Sequence, residues 1–156
     1  MSKKRVLFLC TGNSARRCGR SQMAEGLVNH FLGDRWKARS AGAKPATAVH
    51  PLAIRAMAEL GIDISTQQPK SAGEFDQARF DLVVTLCDSA AQNCPLCLGW
   101  KQMAHIGFPD PVAGSGSEEE RLAAFRRVRN GLKQEVFAYL ERFEDTEPEE
   151  VKLYAP

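Results

Sequence analysis

The segment from Cys10 to Arg16, CTGNSAR, places a thiol and a guanidinium at the two ends of five small or polar residues. Between a strand and a helix, such a segment can turn successive backbone N–H groups inward, and Gly12 and Asn13 tolerate the positive φ that this requires. With Cys10 as the nucleophile, the segment predicts an oxyanion-binding loop whose backbone amides and guanidinium hold the anion: Thr11, Gly12, Asn13, Ser14, Ala15 and Arg16.

The electrostatic field of this loop also acts on its cysteine. A helix N-terminus and a neighbouring cation both favour a thiolate over a thiol. We therefore expect the Cys10 side chain to be a thiolate that faces a bound tetrahedral anion. The alternative is a buried cysteine at a strand end beside a surface arginine, which is the usual interpretation of a lone cysteine but leaves the glycine turn and the spacing to Arg16 unexplained.

A second basic block, Arg17-Cys18-Gly19-Arg20, follows before the helix-forming sequence SQMAEG. If Arg20 held the anion, nine residues would separate it from Cys10, which makes too wide a ring for one tetrahedral anion, so Arg16 is the predicted ligand. Gly19 favours a bulge over an added helical turn. We expect the block to disturb the residues that support the loop and to affect its efficiency. Cys18 is either a reactive thiol beside these arginines or an exposed spectator.

A carboxyl group near the end of the sequence motif GFPDP is a candidate acid. Asp110 lies between Pro109 and Pro111, which stiffen the backbone and prevent helix formation on both sides. An anion site nearby would raise the pKa of such a carboxyl group, so that it could act as a general acid. An ordinary Pro-Asp-Pro turn is the alternative.

Three further cysteines, Cys87, Cys94 and Cys97, lie in the segment TLCDSAAQNCPLC. In a reducing compartment, cysteines are redox-active, metal-binding or buried more often than they form structural disulfides. A zinc or metalloid site is the weaker interpretation, because C-x6-C-x2-C has neither the paired spacing nor the fourth ligand of strong zinc sites. The histidines have no ligand spacing and are interpreted as structural residues: His30, His50 and His105.

Length and composition set the context of these residues. The 156 residues predict a single domain, 1–156, with a core at about 4–143 and a loosely packed tail at 144–156. A net charge of +2 with interleaved acids and bases argues against nucleic-acid binding. The apolar run after the basic N-terminus is too short for a signal peptide, and no segment is long enough to span a membrane. We therefore expect a cytoplasmic protein.

Strands and helices alternate along the chain. Strands are predicted at residues 6–9, 37–40, 81–86 and 103–106, and helices at 21–32 and 51–60, with Pro51 in the first turn and Gly61 at the C-terminus of the second helix. Ser117 and Glu120 form a capping box before a long helix. Its apolar stripe is predicted to be core: Leu122, Phe125, Val128, Leu132, Val136, Leu140 and Phe143.

This βαβ pattern predicts an α/β fold with a parallel sheet covered by helices on both faces. Ligands of such sheets bind outside the carboxyl ends of the strands. Cys10 ends the first predicted strand and Cys87 follows the third, so both thiols are expected at one edge of the sheet.

Six motifs together resemble the thioredoxin-coupled arsenate reductases that share the low-molecular-weight tyrosine phosphatase fold. They are CTGNSAR, SQMAEG, SAG at 40–42, GIDIS at 61–65, DLVVTLC at 81–87 and GFPDP at 107–111. The resemblance implies a three-layer α/β fold with a four-stranded parallel sheet flanked by helices. It also implies that Cys10 is the nucleophile, Arg16 the oxyanion ligand and Asp110 the general acid.

The resemblance extends to supporting residues and to ions. A serine that directly follows the arginine stabilises the thiolate in the family, and its counterpart by residue type is Ser21. Some members bind potassium near the loop, where Asn13, Glu25 and Ser40 match, although Lys70 lies near a position that can be acidic in the family. No organic cofactor is implied.

The second cysteine cluster separates reductase from phosphatase. Reducing arsenate takes two electrons and hence further thiols, and the family's relay uses the spacing of Cys87 and Cys94, with thioredoxin as electron donor. Cys97 is either a free thiol or a substitute for Cys94. The alternative function, an aryl phosphate (protein tyrosine) phosphatase, needs only Cys10, Arg16 and Asp110. We expect a monomer that binds arsenate or a phosphate-like oxyanion.

Overall fold

In the part of the chain that the structure describes, four parallel strands form one sheet. They are β1 (Lys4–Cys10), β2 (Trp36–Gly42), β3 (Leu82–Thr85) and β4 (Met103–His105), in the order β2-β1-β3-β4. This is a computed structural model, and the residues it describes are 4–10, 20–42, 50–65, 67, 80–86, 103–106 and 116–145. The sheet confirms the predicted α/β class with parallel strands.

Three helices are described: α1 (Arg20–Phe31), α2 (Pro51–Ala58) and α3 (Glu118–Asp145). α1 packs against β1 and β2, and α3 packs against both α1 and α2. These helices share a core with one face of the sheet, where Val6 and Phe8 are buried. Leu7 and Val83 on the opposite face are also buried, as expected for a sheet covered on both sides. The helices predicted for this opposite face are not among the described residues.

Local signals in the sequence set the helix ends. Pro51 is in the first turn of α2, and the backbone N–H of Leu52 donates to Nδ1 of His50 at 3.1 Å, which gives this histidine a capping role. Gly61 ends the turn after α2 with φ 77°, a conformation that glycine adopts at little cost. The backbone N–H of Glu120 donates to Oγ of Ser117 at 3.2 Å, as the predicted cap requires.

All seven residues of the predicted stripe on α3 are buried, which confirms that face as core. On α1, Phe31 lies in the last turn and is 40% exposed, and it contacts Phe137 at the surface, with their ring centroids 6.0 Å apart. In α2 the inward positions include Ala53 and Ala56, while Ala58 is exposed. No helix in the described ranges is long and apolar enough to cross a membrane.

Candidate functional site

Cys10 is the last residue of β1 and lies at the carboxyl edge of the sheet. Its Cα pairs with Gly42 of β2, and the preceding residue, Leu9, pairs with Thr85 of β3. The backbone of Leu9 is therefore flanked by strands on both sides, and that of Cys10 is paired with β2. Cys87 comes two residues after the end of β3 in the sequence.

Hydrogen bonds set the position of α1 against β2. Both polar atoms of the Asn29 amide bond the backbone of Ala38: Nδ2 donates to the carbonyl oxygen at 3.1 Å, and Oδ1 accepts from the N–H at 2.8 Å. One turn earlier in the helix, Oε1 of Glu25 accepts a hydrogen bond from Oγ of Ser40 at 3.0 Å. α1 therefore runs antiparallel to β2, with its N-terminus toward the carboxyl edge of the sheet.

The same spacing locates the first turn of α1. Four helical residues rise about 6 Å and two strand residues about 6.6 Å, so each turn of α1 matches two residues of β2. The steps from Asn29 to Glu25 and from Ala38 to Ser40 follow this rule. One more step places Ser21 level with Gly42, the residue whose Cα pairs with Cys10. Measured along the direction of β2, the backbone of Cys10 and the first turn of α1 thus lie at the same level.

The first turn of α1 is buried and electropositive. Arg20 is 4% exposed and Ser21 is 5% exposed. The structure describes this turn in full, and it has no acidic residue. The N–H groups of a first helical turn lack partners within the helix and carry the positive end of the helix dipole. The turn can therefore attract an anion to the carboxyl edge, beside the backbone of Cys10.

Only some of the predicted site residues are among those that the structure describes. Ser21, Glu25 and Ser40 are described with their side chains, and Cys10 with its backbone. Glu25 and Ser40 are in contact through a hydrogen bond. The other predicted residues lie outside the described residues: Thr11, Gly12, Asn13, Ser14, Ala15, Arg16, Cys87, Cys94 and Asp110. Cys18, Lys70 and Cys97 lie outside them as well.

The Glu25–Ser40 pair can be tested as part of a cation site. A carboxylate and a hydroxyl are oxygen donors of the kind that hard cations take, and these two side chains are 9% and 5% exposed. They therefore fit a monovalent cation, which would need further oxygen ligands. The described residues contain no group of three or more histidine, cysteine, aspartate or glutamate side chains that could hold a metal ion.

Arg20 also lies near this site. Arg20 was excluded as an anion ligand because of its distance along the chain from Cys10. In the structure it is the first residue of α1 and precedes Ser21, so it lies at the carboxyl edge of the sheet. In the sequence, Arg20 directly precedes SQMAEG, which places it at the start of the predicted helix. That position alone does not predict that its side chain is buried.

Comparisons with known proteins agree with this geometry. Residues 5–149 match the family described as low molecular weight phosphotyrosine protein phosphatase. The arsenate reductase of Halalkalibacterium halodurans is 45% identical over 141 residues, which cover 90% of this chain and 98% of the relative. The arsenate reductase of Bacillus subtilis is 46% identical over 132 residues, covering 85% and 91%. A solved structure, "An arsenate reductase in the phosphate binding state", superposes with a TM-score of 0.73 at 31% identity and covers 89% of this chain and 98% of its own.

Proposed function

We propose that this chain, which belongs to the low-molecular-weight phosphotyrosine protein phosphatase family, is an arsenate reductase. The observation that carries the proposal is the position of Cys10. It ends β1, and along the strand direction it is level with the first turn of α1, which is buried. The positive end of a helix favours a thiolate and attracts anions, which supports Cys10 as the nucleophile of an oxyanion site. The arsenate reductases named above, one of them solved in a phosphate-binding state, support arsenate as the oxyanion.

In the first step, arsenate binds to the backbone N–H groups of residues 11–16 and to the guanidinium of Arg16. The Cys10 thiolate attacks the arsenic atom, and Asp110 donates a proton to the oxygen that leaves as water. The product is a covalent adduct in which the sulfur of Cys10 is bonded to As(V). A general acid and a set of preorganised donors each lower the barrier of such a displacement.

In the second step, the thiolate of Cys87 attacks the sulfur of Cys10. The S–As bond breaks and its electron pair passes to arsenic, so As(V) becomes As(III) and leaves as arsenite. The two thiols lose the two electrons and form a Cys10–Cys87 disulfide. The short distance in sequence from β3, the neighbour of β1, to Cys87 supports this pairing.

In the third step, Cys94 attacks Cys87 and frees the Cys10 thiolate for the next turnover. The resulting Cys87–Cys94 disulfide is reduced by an external dithiol, for which we propose thioredoxin. Cys94 is seven residues from Cys87, close enough along the chain for exchange. Cys97 is three residues further and is the alternative partner.

Potassium is proposed as a bound ion beside the loop, with Asn13, Glu25 and Ser40 as ligands. The contact between the Ser40 hydroxyl and the Glu25 carboxylate supports it, because two oxygen donors from β2 and α1 already meet there. When bound, the ion would supply positive charge that steadies the oxyanion loop. The reaction itself is carried by the cysteines and does not need an organic cofactor.

A phosphatase acting on aryl phosphates is the second candidate, favoured by the description of the matching family. It would use Cys10, Arg16 and Asp110 without the other cysteines. The experiment compares arsenate-dependent NADPH oxidation, with thioredoxin and thioredoxin reductase present, with hydrolysis of p-nitrophenyl phosphate by the same preparation. The proposal expects arsenate turnover to be lost in Cys87→Ser while any phosphatase activity persists. Hydrolysis without arsenate turnover would contradict the reductase proposal.

A further inference from the structure

β2 is an outer strand of the sheet in the part of the chain that the structure describes, and β1 is its neighbour. The N–H of Lys4 donates to the carbonyl oxygen of Arg35 at 3.1 Å, which fixes the direction of the backbone groups along β2. Because successive residues of a strand point these groups to opposite sides, those of Trp36 and Ala38 point away from β1. Outward groups of this kind are a template on which another chain can pair.

The outward groups of β2 find partners in α1 and in the residue that follows it. The N–H of Trp36 donates to the carbonyl oxygen of Leu32 at 2.8 Å. At Ala38, the carboxamide of Asn29 bonds both backbone groups, accepting from the N–H at 2.8 Å and donating to the carbonyl oxygen at 3.1 Å. A carboxamide offers the same donor and acceptor as a peptide group. The Asn29 side chain therefore takes the bonding position that a further strand would occupy at Ala38.

Neither helix propensity nor burial explains an asparagine at position 29. The residue is exposed near the end of α1, as is its neighbour His30. Asparagine is a weaker helix former than alanine, lysine or glutamate, any of which such an exposed position accepts. The two bonds to Ala38 are what Asn29 contributes and these residues would not.

Two cations on β2 act in the same direction. Lys37 and Arg39 are exposed on one face of the strand, while the Ala38 side chain between them is buried on the other. If two copies of β2 paired antiparallel with their Ala38 residues opposite each other, Lys37 of one copy would face Arg39 of the other. Like charges that face each other across two strands are destabilising. The charge pattern of β2 is therefore directed against its own duplicate.

We propose that the Asn29 carboxamide closes the outer edge of β2 at Ala38 and thereby prevents a second copy of the chain from pairing there. Lys37 and Arg39 support this closure by electrostatic repulsion. The contact provides a physical reason for the expected monomer. It does not depend on the proposed function, because it lies on the side of the sheet and not at its carboxyl edge.

The test is self-association of the full-length protein, kept reduced so that its cysteines form no cross-links, measured by sedimentation equilibrium over a series of concentrations. The variant is Asn29→Ala, which removes both bonds and favours the helix. The matched control is His30→Ala, at the neighbouring exposed position. The association constant should be about tenfold or more above that of the wild type in Asn29→Ala, as expected for two freed backbone groups, and unchanged in His30→Ala.

A second arm tests the charges. In the Asn29→Ala background, replacing Lys37 and Arg39 by threonine should strengthen the association further, because the facing cations are removed. Added salt should strengthen the association of Asn29→Ala, since it screens this repulsion, and should have little effect once both cations are gone. With Asn29 in place, the two threonine substitutions should leave the protein as monomeric as the wild type. Association of that variant would show that the charges close the edge without the carboxamide.

Amide hydrogen exchange at Ala38 reports on the contact itself. In Asn29→Ala this amide should exchange faster than in the wild type at low protein concentration and regain protection as the concentration rises, because a strand of the second copy replaces the side chain. Association of Asn29→Ala no stronger than that of His30→Ala, or without renewed protection at Ala38, would overturn the proposal. If Asn29→Ala does not fold, Asn29→Ser decides, because its short hydroxyl cannot bond both groups. Its association constant should rise by about threefold or more, and an unchanged value would refute the closure.

Discussion

The hydroxyl of Ser40 donates a hydrogen bond of 3.0 Å to Oε1 of Glu25, and both side chains are buried. The bond joins β2 to α1 two strand residues before Gly42 and one helical turn after Ser21. It therefore helps to set the height of the first turn of α1 relative to the end of β1. The position of the proposed oxyanion site depends on this contact.

Replacing Ser40 by alanine should destabilise the protein by about 1–3 kcal/mol, because a buried carboxylate oxygen loses its hydroxyl donor. Urea unfolding of the two proteins measures the difference in free energy of unfolding. Ser65→Ala is the control, since Ser65 is exposed and its loss should cost within about 0.5 kcal/mol. Equal stabilities for Ser40→Ala and Ser65→Ala would show that the contact does not hold α1 on β2.

The proposed potassium site predicts a specific ion effect. The Tm of the wild-type protein should be higher in potassium chloride than in choline chloride at equal ionic strength, because a cation that binds only the folded state stabilises it. In Glu25→Gln, which keeps the shape of the side chain but removes its charge, the difference between the two salts should disappear. A difference of the same size in Glu25→Gln would exclude Glu25 as a ligand.

Gly26 is a point of close approach between α1 and the chain that follows α2. A Cβ built on this residue would lie 2.7 Å from Cγ2 of Ile64 and 3.2 Å from Cε of Met57. Gly26→Ala should therefore destabilise the protein by about 1–3 kcal/mol through overpacking, although alanine favours helix by about 1 kcal/mol. Equilibrium unfolding in urea measures this cost.

A double-mutant cycle with Ile64→Ala identifies the cause. Because Ile64→Ala removes the methyl group that the new Cβ would meet, the two substitutions together should cost less than the sum of their separate effects. Additive costs, or a Gly26→Ala variant as stable as the wild type, would contradict the close packing of α1 at this point.

Glu59 connects α2 to α3 through two arginines and makes stability depend on pH. Nε of Arg126 donates to Oε2 of Glu59 at 2.9 Å, and Nη1 of Arg129 donates to Oε1 at 2.7 Å. Hydrogen bonds from Arg126 and then Arg129 are the main causes that lower the pKa of Glu59 from 4.5 to about 2. An acid with a lowered pKa stabilises the fold above its unfolded pKa, and this contribution disappears as the pH falls through its folded pKa.

The free energy of unfolding should therefore differ most between wild type and Glu59→Gln at neutral pH. The difference should narrow as the pH falls from 4.5 towards 2. Urea unfolding at a series of pH values gives both curves. In an Arg126→Gln background the narrowing should be smaller and should end at a higher pH, because the folded-state pKa of Glu59 lies closer to 4.5 when its first partner is removed. A difference that is constant across this range would contradict the linkage.

The strands and the main helix face were predictable because their signals are local. Residues 82–85 are all buried, as the pattern of a parallel strand requires, and the stripe on α3 recurs at helical spacing. The burial of Arg129 was not predictable in this way. Its Nη1 donates to the carbonyl oxygen of Ala56 at 2.7 Å, a contact that exists only once α2 and α3 have packed together.

The candidate site likewise has one feature that local sequence signals predict and one that depends on packing. The position of Cys10 at the end of β1 follows from an apolar run that stops at a polar turn, which the sequence shows directly. The burial of Arg20 depends on the register between α1 and β2, which the contacts of Glu25 and Asn29 set.

The central claim is that Cys10 and Cys87 reduce arsenate by forming a disulfide, and the most direct measurement is disulfide mapping after a single turnover. Cys94→Ser, reduced and then freed of reductant, is treated with one equivalent of arsenate, or with phosphate as the control, and is alkylated and digested for mass spectrometry. Because the thiol proposed to resolve it is missing, a Cys10–Cys87 disulfide should accumulate with arsenate and be absent with phosphate. A dominant Cys87–Cys97 disulfide would transfer the role of Cys94 to Cys97. No disulfide after arsenate treatment would contradict the reductase mechanism and favour the phosphatase.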